Sequence, residues 1–135
     1  LSWTDSLIRV REFEIDTLKK RLAAVVAHRA RIEAALAGLG AEAEAEAAHA
    51  RGRPETAWSF AAFRAGWVQR RAAALAELKV AELEEAGCRD ALSDAYAELK
   101  KVERVAEAHA RAAAQALARR EAAALDEIAL RRKAV

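Results

Sequence analysis

Along the first fifty residues the seam of the sequence returns every seven positions. Ile8, Ile15, Leu22, Arg29, Leu36 and Ala43 hold one place in the repeat, and Arg11, Leu18, Val25, Ile32 and Leu39 hold the other. A spacing of three and four keeps one stripe of a helix against a partner helix, so the pattern predicts a coiled-coil helix. Arg11 and Arg29 interrupt the stripe. Their stems can lie along apolar surface while the guanidinium reaches water, which makes them register-setting residues and not ligands. Ser2 and Asp5 have the spacing of a capping box at the helix start. Gly52-Arg53-Pro54 supplies the stop. Glycine suits the backbone just past a helix, and proline suits the first turn of the next one. Thr56 is an alternative cap. The signals predict helix 1 over about 3–50, a turn at about 51–55 and helix 2 over about 55–131.

In the second segment Val68, Leu75, Leu78, Leu83, Leu92, Leu99, Val102, Leu117, Leu125 and Ile128 drift against a strict heptad, with alanine between them. That predicts a seam that changes register. No stretch alternates with period two, so no strand is expected. The fold expected is all-α, a single antiparallel two-helix coiled-coil hairpin over residues 1–135 with a longer second helix. Equal rise on both helices makes facing residue numbers sum to about 106. Leu39 then faces Trp67, Gly40 faces Gly66, and Ile8 faces Glu98 and Leu99. Gly38, Gly40 and Gly66 at one level suggest a close backbone approach, a mild kink or a hinge. Residues beyond about 104 have no partner in helix 1, an overhang of roughly 45 Å. A lone helix carrying Leu117, Leu125, Ile128 and Leu130 should fold back, dimerise or find another protein.

The bulky rings are concentrated just past the turn, in "RGRPETAWSFAAFRAGWVQRR" (residues 51–71). Phe60, Phe63 and Trp67 share one helical face, with Trp58 nearly opposite Phe60. The facing part of helix 1, residues 41–50, contains only alanine, glutamate and His49. Alanine offers too little surface to cover so many rings. Part of the cluster should stay exposed, rimmed by Arg64, Arg70 and Arg71, as an anchor for a protein partner; plain core is the alternative. At the N-terminus Trp3, Leu7, Val10 and Phe13 lie off the main seam and form a second apolar stripe, to be covered by the overhang or by an outside partner.

Composition sharpens this picture. Of the 135 residues 54% are hydrophobic, a large part of them alanine, while 33% are charged and 5% aromatic. Such a mixture belongs to long helices with a thin core. The net charge of +2 does not mark a nucleic-acid binder. Residues 51–75 and 104–135 are basic and 76–103 acidic, which reads as a solvated helix surface or a docking field. A nucleic-acid-associated protein using 51–71 and 104–133 is disfavoured by the interspersed acids. Cys88 is alone, so no intramolecular disulfide can form. No apolar run is long enough to span a bilayer, and the opening segment is amphipathic and acid-bearing, unlike a secretory leader. The cytoplasm is the expected location.

Catalytic patterns are not found. His28, His49 and His109 are scattered, without metal-ligand spacing. "AGLGAE" lacks the Lys-Ser/Thr ending of a phosphate loop. Ser59 and Ser93 have no base near them in sequence, and a two-helix hairpin offers no concave pocket. Cys88 beside Gly87 reads as a small seam residue, and Glu84-Glu85 as a wet face. No enzymatic activity, cofactor or metal is expected.

Four features resemble the FliJ family of flagellar type III export proteins. They are the opening "WTDSLIRVREFEIDTLKKRLA", the aromatic start of helix 2 "WSFAAF", the acidic alanine-rich middle, and the ending "EAAALDEIALRRKA". The resemblance covers essentially the whole chain. It implies a cytoplasmic coiled coil similar to the stalk of rotary ATPases, at the inner face of the membrane-bound export apparatus. It implies that the end with the termini engages an export ATPase hexamer (FliI-like), through Trp3, Val10, Phe13, Asp126, Glu127, Arg131 and Arg132. It implies that the region near the turn contacts an FlhA-like export gate, with Phe60, Phe63 and Trp67 as contacts and Arg64, Arg70 and Arg71 around them. Export chaperones are further implied partners, nucleic acid is not, and any membrane association runs through partners only. A related type III secretion stalk or a dimeric coiled-coil scaffold is the alternative.

Overall fold

A computed structural model of the chain describes residues 2–134. Helix α1 runs Trp3–Ala50 and helix α2 runs Ala57–Ala134, joined by a 3₁₀ turn at Pro54–Thr56. The two helices pack against each other as a hairpin, and no strand occurs among the described residues. α2 continues three residues past its expected end near 131.

The start of α1 has its capping box. Asp5 N–H donates to Ser2 Oγ at 3.2 Å, and Ser2 N–H donates to Asp5 Oδ2 at 3.3 Å. Two otherwise orphaned donors are thereby satisfied. The bonds from Ser2 hold the Asp5 carboxyl below its ordinary range. At the turn Gly52 has φ +69°, the left-handed conformation that glycine tolerates. The Arg53 guanidinium donates to the free carbonyl of His49, and Arg53 N–H to that of Ala50. Thr56 directly precedes α2, but its hydroxyl donates backward to the Arg53 carbonyl at 2.7 Å instead of accepting an N–H of the helix.

The seam of α1 follows the heptad. Every seam position from Ile8 to Ala43 is buried or half-buried, and Thr4 extends the series toward the N-terminus. The expected change of register in α2 does not occur. Its withdrawn positions are Leu78, Ala81, Glu85, Cys88, Leu92, Ala95, Leu99, Val102 and Ala106, a regular alternation of three and four. Val68, Leu75, Leu83, Leu117, Leu125 and Ile128 are exposed. The reason is packing. α2 turns alanines, Cys88 and Glu85 inward between Leu78, Leu92, Leu99 and Val102, and the remaining large side chains, which break the spacing, lie off the seam.

Contacts group the chain into two units, Leu1–Ile15 with Asp94–Val135, and Asp16–Ser93. In the first unit Ile15, Ala95 and Val102 are buried; in the second Ile32, Ala81 and Cys88 are. Cys88 is thus a small seam residue, as its neighbourhood suggested. Glu85 is not the wet face expected of Glu84-Glu85. Glu84 is exposed, but the Glu85 side chain is only 5% exposed and takes Arg29 Nη1 at 2.6 Å and Arg89 Nη1 at 2.8 Å. Arg29 also donates to Glu33 at 3.0 Å. A carboxylate in the seam needs such partners, and a slip of one helix turn would leave Glu85 with Arg89 but without Arg29, so the Arg29–Glu85 pair favours this register. Arg29 holds the Glu85 carboxyl below its ordinary value despite burial, which acts the other way.

Trp67 reaches Leu39, as the hairpin arithmetic expected, but other cross-helix partners lie further along α2. Arg70 pairs with Glu42, and Trp3 meets His109. The expected close approach at the glycines is absent. A Cβ added at Gly38, Gly40 or Gly66 would meet no heavy atom within 4 Å.

Two outcomes follow. Gly38→Ala, Gly40→Ala and Gly66→Ala should each stabilise the hairpin by about 0.5–1 kcal/mol in a thermal or urea melt, since each removes only backbone freedom; destabilisation would reveal a contact the helices do not show. The depressed Glu85 group contributes stability that is complete above its unfolded value near 4.5 and is lost as pH falls through its lower folded value. Glu85→Gln should flatten that part of the pH–stability curve, measured by melts between neutral and strongly acidic pH.

Candidate partner-binding surfaces

In the unit Asp16–Ser93 the first turns of α2 carry the aromatic cluster. Phe60 and Phe63, three apart, stack with ring centroids 6.4 Å apart and planes 25° from parallel. Both are half-buried, as is Trp67. Trp67 Nε1–H donates to the Leu39 carbonyl at 2.7 Å, which satisfies the one polar group of the indole. The Arg71 guanidinium lies 5.9 Å from the Trp67 ring centroid, a cation–π distance. Arg70 grips Glu42 through both terminal nitrogens, at 3.1 and 3.3 Å. Arg64 is exposed beside the rings. The cluster is therefore divided. Each of the three rings is partly covered and partly open to solvent.

Trp58 is the residue sequence reasoning left out of this surface. At 85% exposure it is the barest ring near the turn. Its place opposite Phe60 was the signal that it points away from the seam. Hairpins of this kind were expected to lack concavities, yet shallow clefts flank the turn. One of about 530 Å³ is lined by Ala47, Ala50, Arg51–Pro54, Thr56, Ala57 and Phe60. Another of about 330 Å³ is formed by Glu46, His49, Ala50, Thr56, Ser59 and Phe60.

In the unit Leu1–Ile15 with Asp94–Val135, Trp3 meets His109 edge to face, with centroids 5.5 Å apart. A cleft of about 610 Å³ runs between Ser2–Asp5 and the Ala106–Ala113 stretch. Val10 and Phe13 are exposed, Phe13 at 72%, while Leu7 is half-buried. From Glu107 to Ala134 every residue except Ala116 is exposed, including Asp126, Glu127, Arg131 and Arg132. Glu127 and Arg131 pair at 2.9 Å along the helix. The terminal candidates thus fall into two groups. Asp126 lies roughly 20 Å along α2 from Ala113, the last residue lining the Trp3 cleft.

Among the described residues no group of three or more His, Cys, Asp or Glu side chains is placed to hold a metal ion. No helix is long and apolar enough to cross a membrane.

These features define a coiled-coil hairpin with several of its bulkiest side chains, Trp3, Phe13 and Trp58, exposed. The sequence profile described as "Flagellar FliJ protein" matches residues 5–134, and the chain belongs to the FliJ family. The Flagellar FliJ protein of Caulobacter vibrioides (strain NA1000 / CB15N) is 45% identical over 133 residues, which is 98% of this chain and 96% of that protein. That of Caulobacter vibrioides (strain ATCC 19089 / CIP 103742 / CB 15) matches to the same extent. No solved structure matches.

The two tryptophans near the turn should behave differently. Trp67→Phe removes one part-buried hydrogen bond and should lower stability by about 1 kcal/mol. Trp58→Phe should stay within about 0.5 kcal/mol of the parent. Urea melts check both values, and acrylamide quenching should reach Trp58 more readily than Trp67.

Proposed function

We propose that the chain is a non-catalytic coiled-coil stalk of flagellar protein export, joining the export ATPase hexamer to an FlhA-like gate and assisting export chaperones. It works in the cytoplasm at the inner face of the export apparatus and meets the membrane only through these partners. The observation that carries the reading is the outward display of large side chains in a FliJ-family chain: Trp58 at 85% exposure, Phe13 at 72%, and the whole stretch of α2 beyond Glu107 apart from Ala116. Aromatic and arginine side chains on an exposed surface are the usual anchors of protein interfaces.

Phe60, Phe63 and Trp67 with Arg64, Arg70 and Arg71 take the gate. The Phe60–Phe63 stack presents a rigid apolar face, and Arg64 is available to an acidic partner group. Trp3, Val10, Phe13, Asp126, Glu127, Arg131 and Arg132 take the ATPase. Coupling requires that the stalk bind one state of ring or gate better than another, because only differential affinity shifts an equilibrium.

The test is capture of purified export ATPase and of the FlhA cytoplasmic region by the immobilised chain. Phe60→Ala with Phe63→Ala should weaken gate capture at least about tenfold while circular dichroism still reports a folded hairpin. Removing residues 121–135 should reduce stimulation of the ATPase and leave gate capture intact. A chain that captures neither protein is a scaffold of another kind, and the reading fails.

A further inference from the structure

The last turns of α2 carry a second heptad that the hairpin does not use. Continued past Ala106, the hairpin seam runs through His109, where Trp3 packs, and then through Ala113, Ala116, Arg120, Ala123 and Glu127, which offer almost no apolar bulk before Leu130. One residue out of step, Ala110, Ala114, Leu117, Glu121, Ala124, Ile128 and Arg131 form another stripe with the same alternation of four and three. One residue is about 100° around a helix, so this stripe is a separate face. Leu117 is 51% exposed on it and Ile128 49%, with Leu125 at 66% on its flank.

We propose that this face pairs, antiparallel, with the same face of a second copy of the chain. The sequence of the stripe selects both partner and direction. In an antiparallel pair with its two-fold axis near residue 123, Leu117 lies opposite Ile128 of the second copy, and Glu121 lies opposite Ala124. On one flank Arg120 lies opposite Glu127 of the second copy. Symmetry repeats each contact, so the charges complement one another twice. A parallel pair would set Glu121 against its own copy and Arg131 against its own copy in the seam, where like charges oppose association. Glu127 already bonds Arg131 on its own helix at 2.9 Å, and its second carboxylate oxygen remains to accept Arg120. Pairing also answers a weakness of the monomer, since a helical stretch without a packed face holds itself poorly in water. The pairing occupies Glu127 and Arg131, two residues the proposed function gives to the ATPase, so a paired chain has to separate before that contact forms. Its test needs this chain alone and is decided independently of export.

Sedimentation equilibrium of the full chain should show a reversible monomer–dimer equilibrium. Glu127→Arg sets like charges face to face and should raise the dissociation constant about tenfold. Arg120→Glu added to it should restore the parent value within about twofold. Direction is read by cross-linking with oxidised glutathione in a Cys88→Ser background. A chain with Leu117→Cys mixed with one with Ile128→Cys should give a disulfide-linked pair, and each chain alone should not. Circular dichroism confirms that every variant keeps its helices. A monomer at all concentrations, a dimer indifferent to Glu127→Arg, absence of the mixed cross-link, or Leu117→Cys linking to itself would overturn the proposal.

Discussion

Two helices can share only one seam, and here α2 gives that seam small side chains at Ala81, Cys88, Ala95 and Ala106. Ala81, Cys88 and Ala95 are buried where a leucine-rich coiled coil would place bulk. Apolar stabilisation scales with area, so a seam of this kind is thin and its register weakly specified by hydrophobic contact alone. Charge supplies what bulk does not. Glu85 keeps Arg89 of its own helix in any register, but it cannot shift by a turn without losing Arg29 of α1. Arg11, the other arginine in the seam of α1, pairs with Glu14 and lies near enough to Glu98 to feel its charge.

The same thinness explains what reads easily in the sequence and what does not. The seam of α1 is legible because Ile8, Ile15, Leu22 and Ile32 are large and regularly spaced. The seam of α2 is hidden because alanines, one cysteine and one glutamate are interspersed among Leu78, Leu92, Leu99 and Val102, and a hydrophobic count passes over those small and charged members. Tracking the bulky residues of α2 mixes the seam residues Leu78, Leu92, Leu99 and Val102 with Val68, Leu75 and Leu83, which lie off the seam, and so produces an apparent drift in register. Glu85 illustrates the difficulty. Beside Glu84 it looks solvated, and only the heptad phase set by Ala81 and Cys88 separates the two.

The surface near the turn was more legible, for a physical reason. Residues 41–50 cannot cover three rings, and the three rings prove half-covered. What the spacing did not convey was division of labour among them. Trp67 is anchored through its indole N–H to the carbonyl of Leu39, while Trp58 is left bare. Of the terminal group, Trp3, Val10 and Phe13 were legible as a second apolar stripe, and Asp126, Glu127, Arg131 and Arg132 only by resemblance. Trp3 finds a neighbour in His109, while Asp126, Glu127, Arg131 and Arg132 lie well beyond it, on the overhang that equal rise from the turn placed past about 104.

A seam of small residues has a further consequence for recognition. If Leu75, Leu83, Leu117 and Ile128 were in the seam, the hairpin would be more stable and its surface more inert. Placed outside, they leave α2 with two chemically distinct faces, one fixed by the hairpin and one open to partners. For a chain proposed to touch several proteins in turn this arrangement has a clear advantage. The contacts that hold the fold are separate from the contacts that can be exchanged, so partners can come and go without unpacking α1 from α2. The tail of α2 carries this furthest. It contributes little to the hairpin seam, and its exposed residues are free of the requirement to hold the fold, so charge and bulk there can be shaped by association alone.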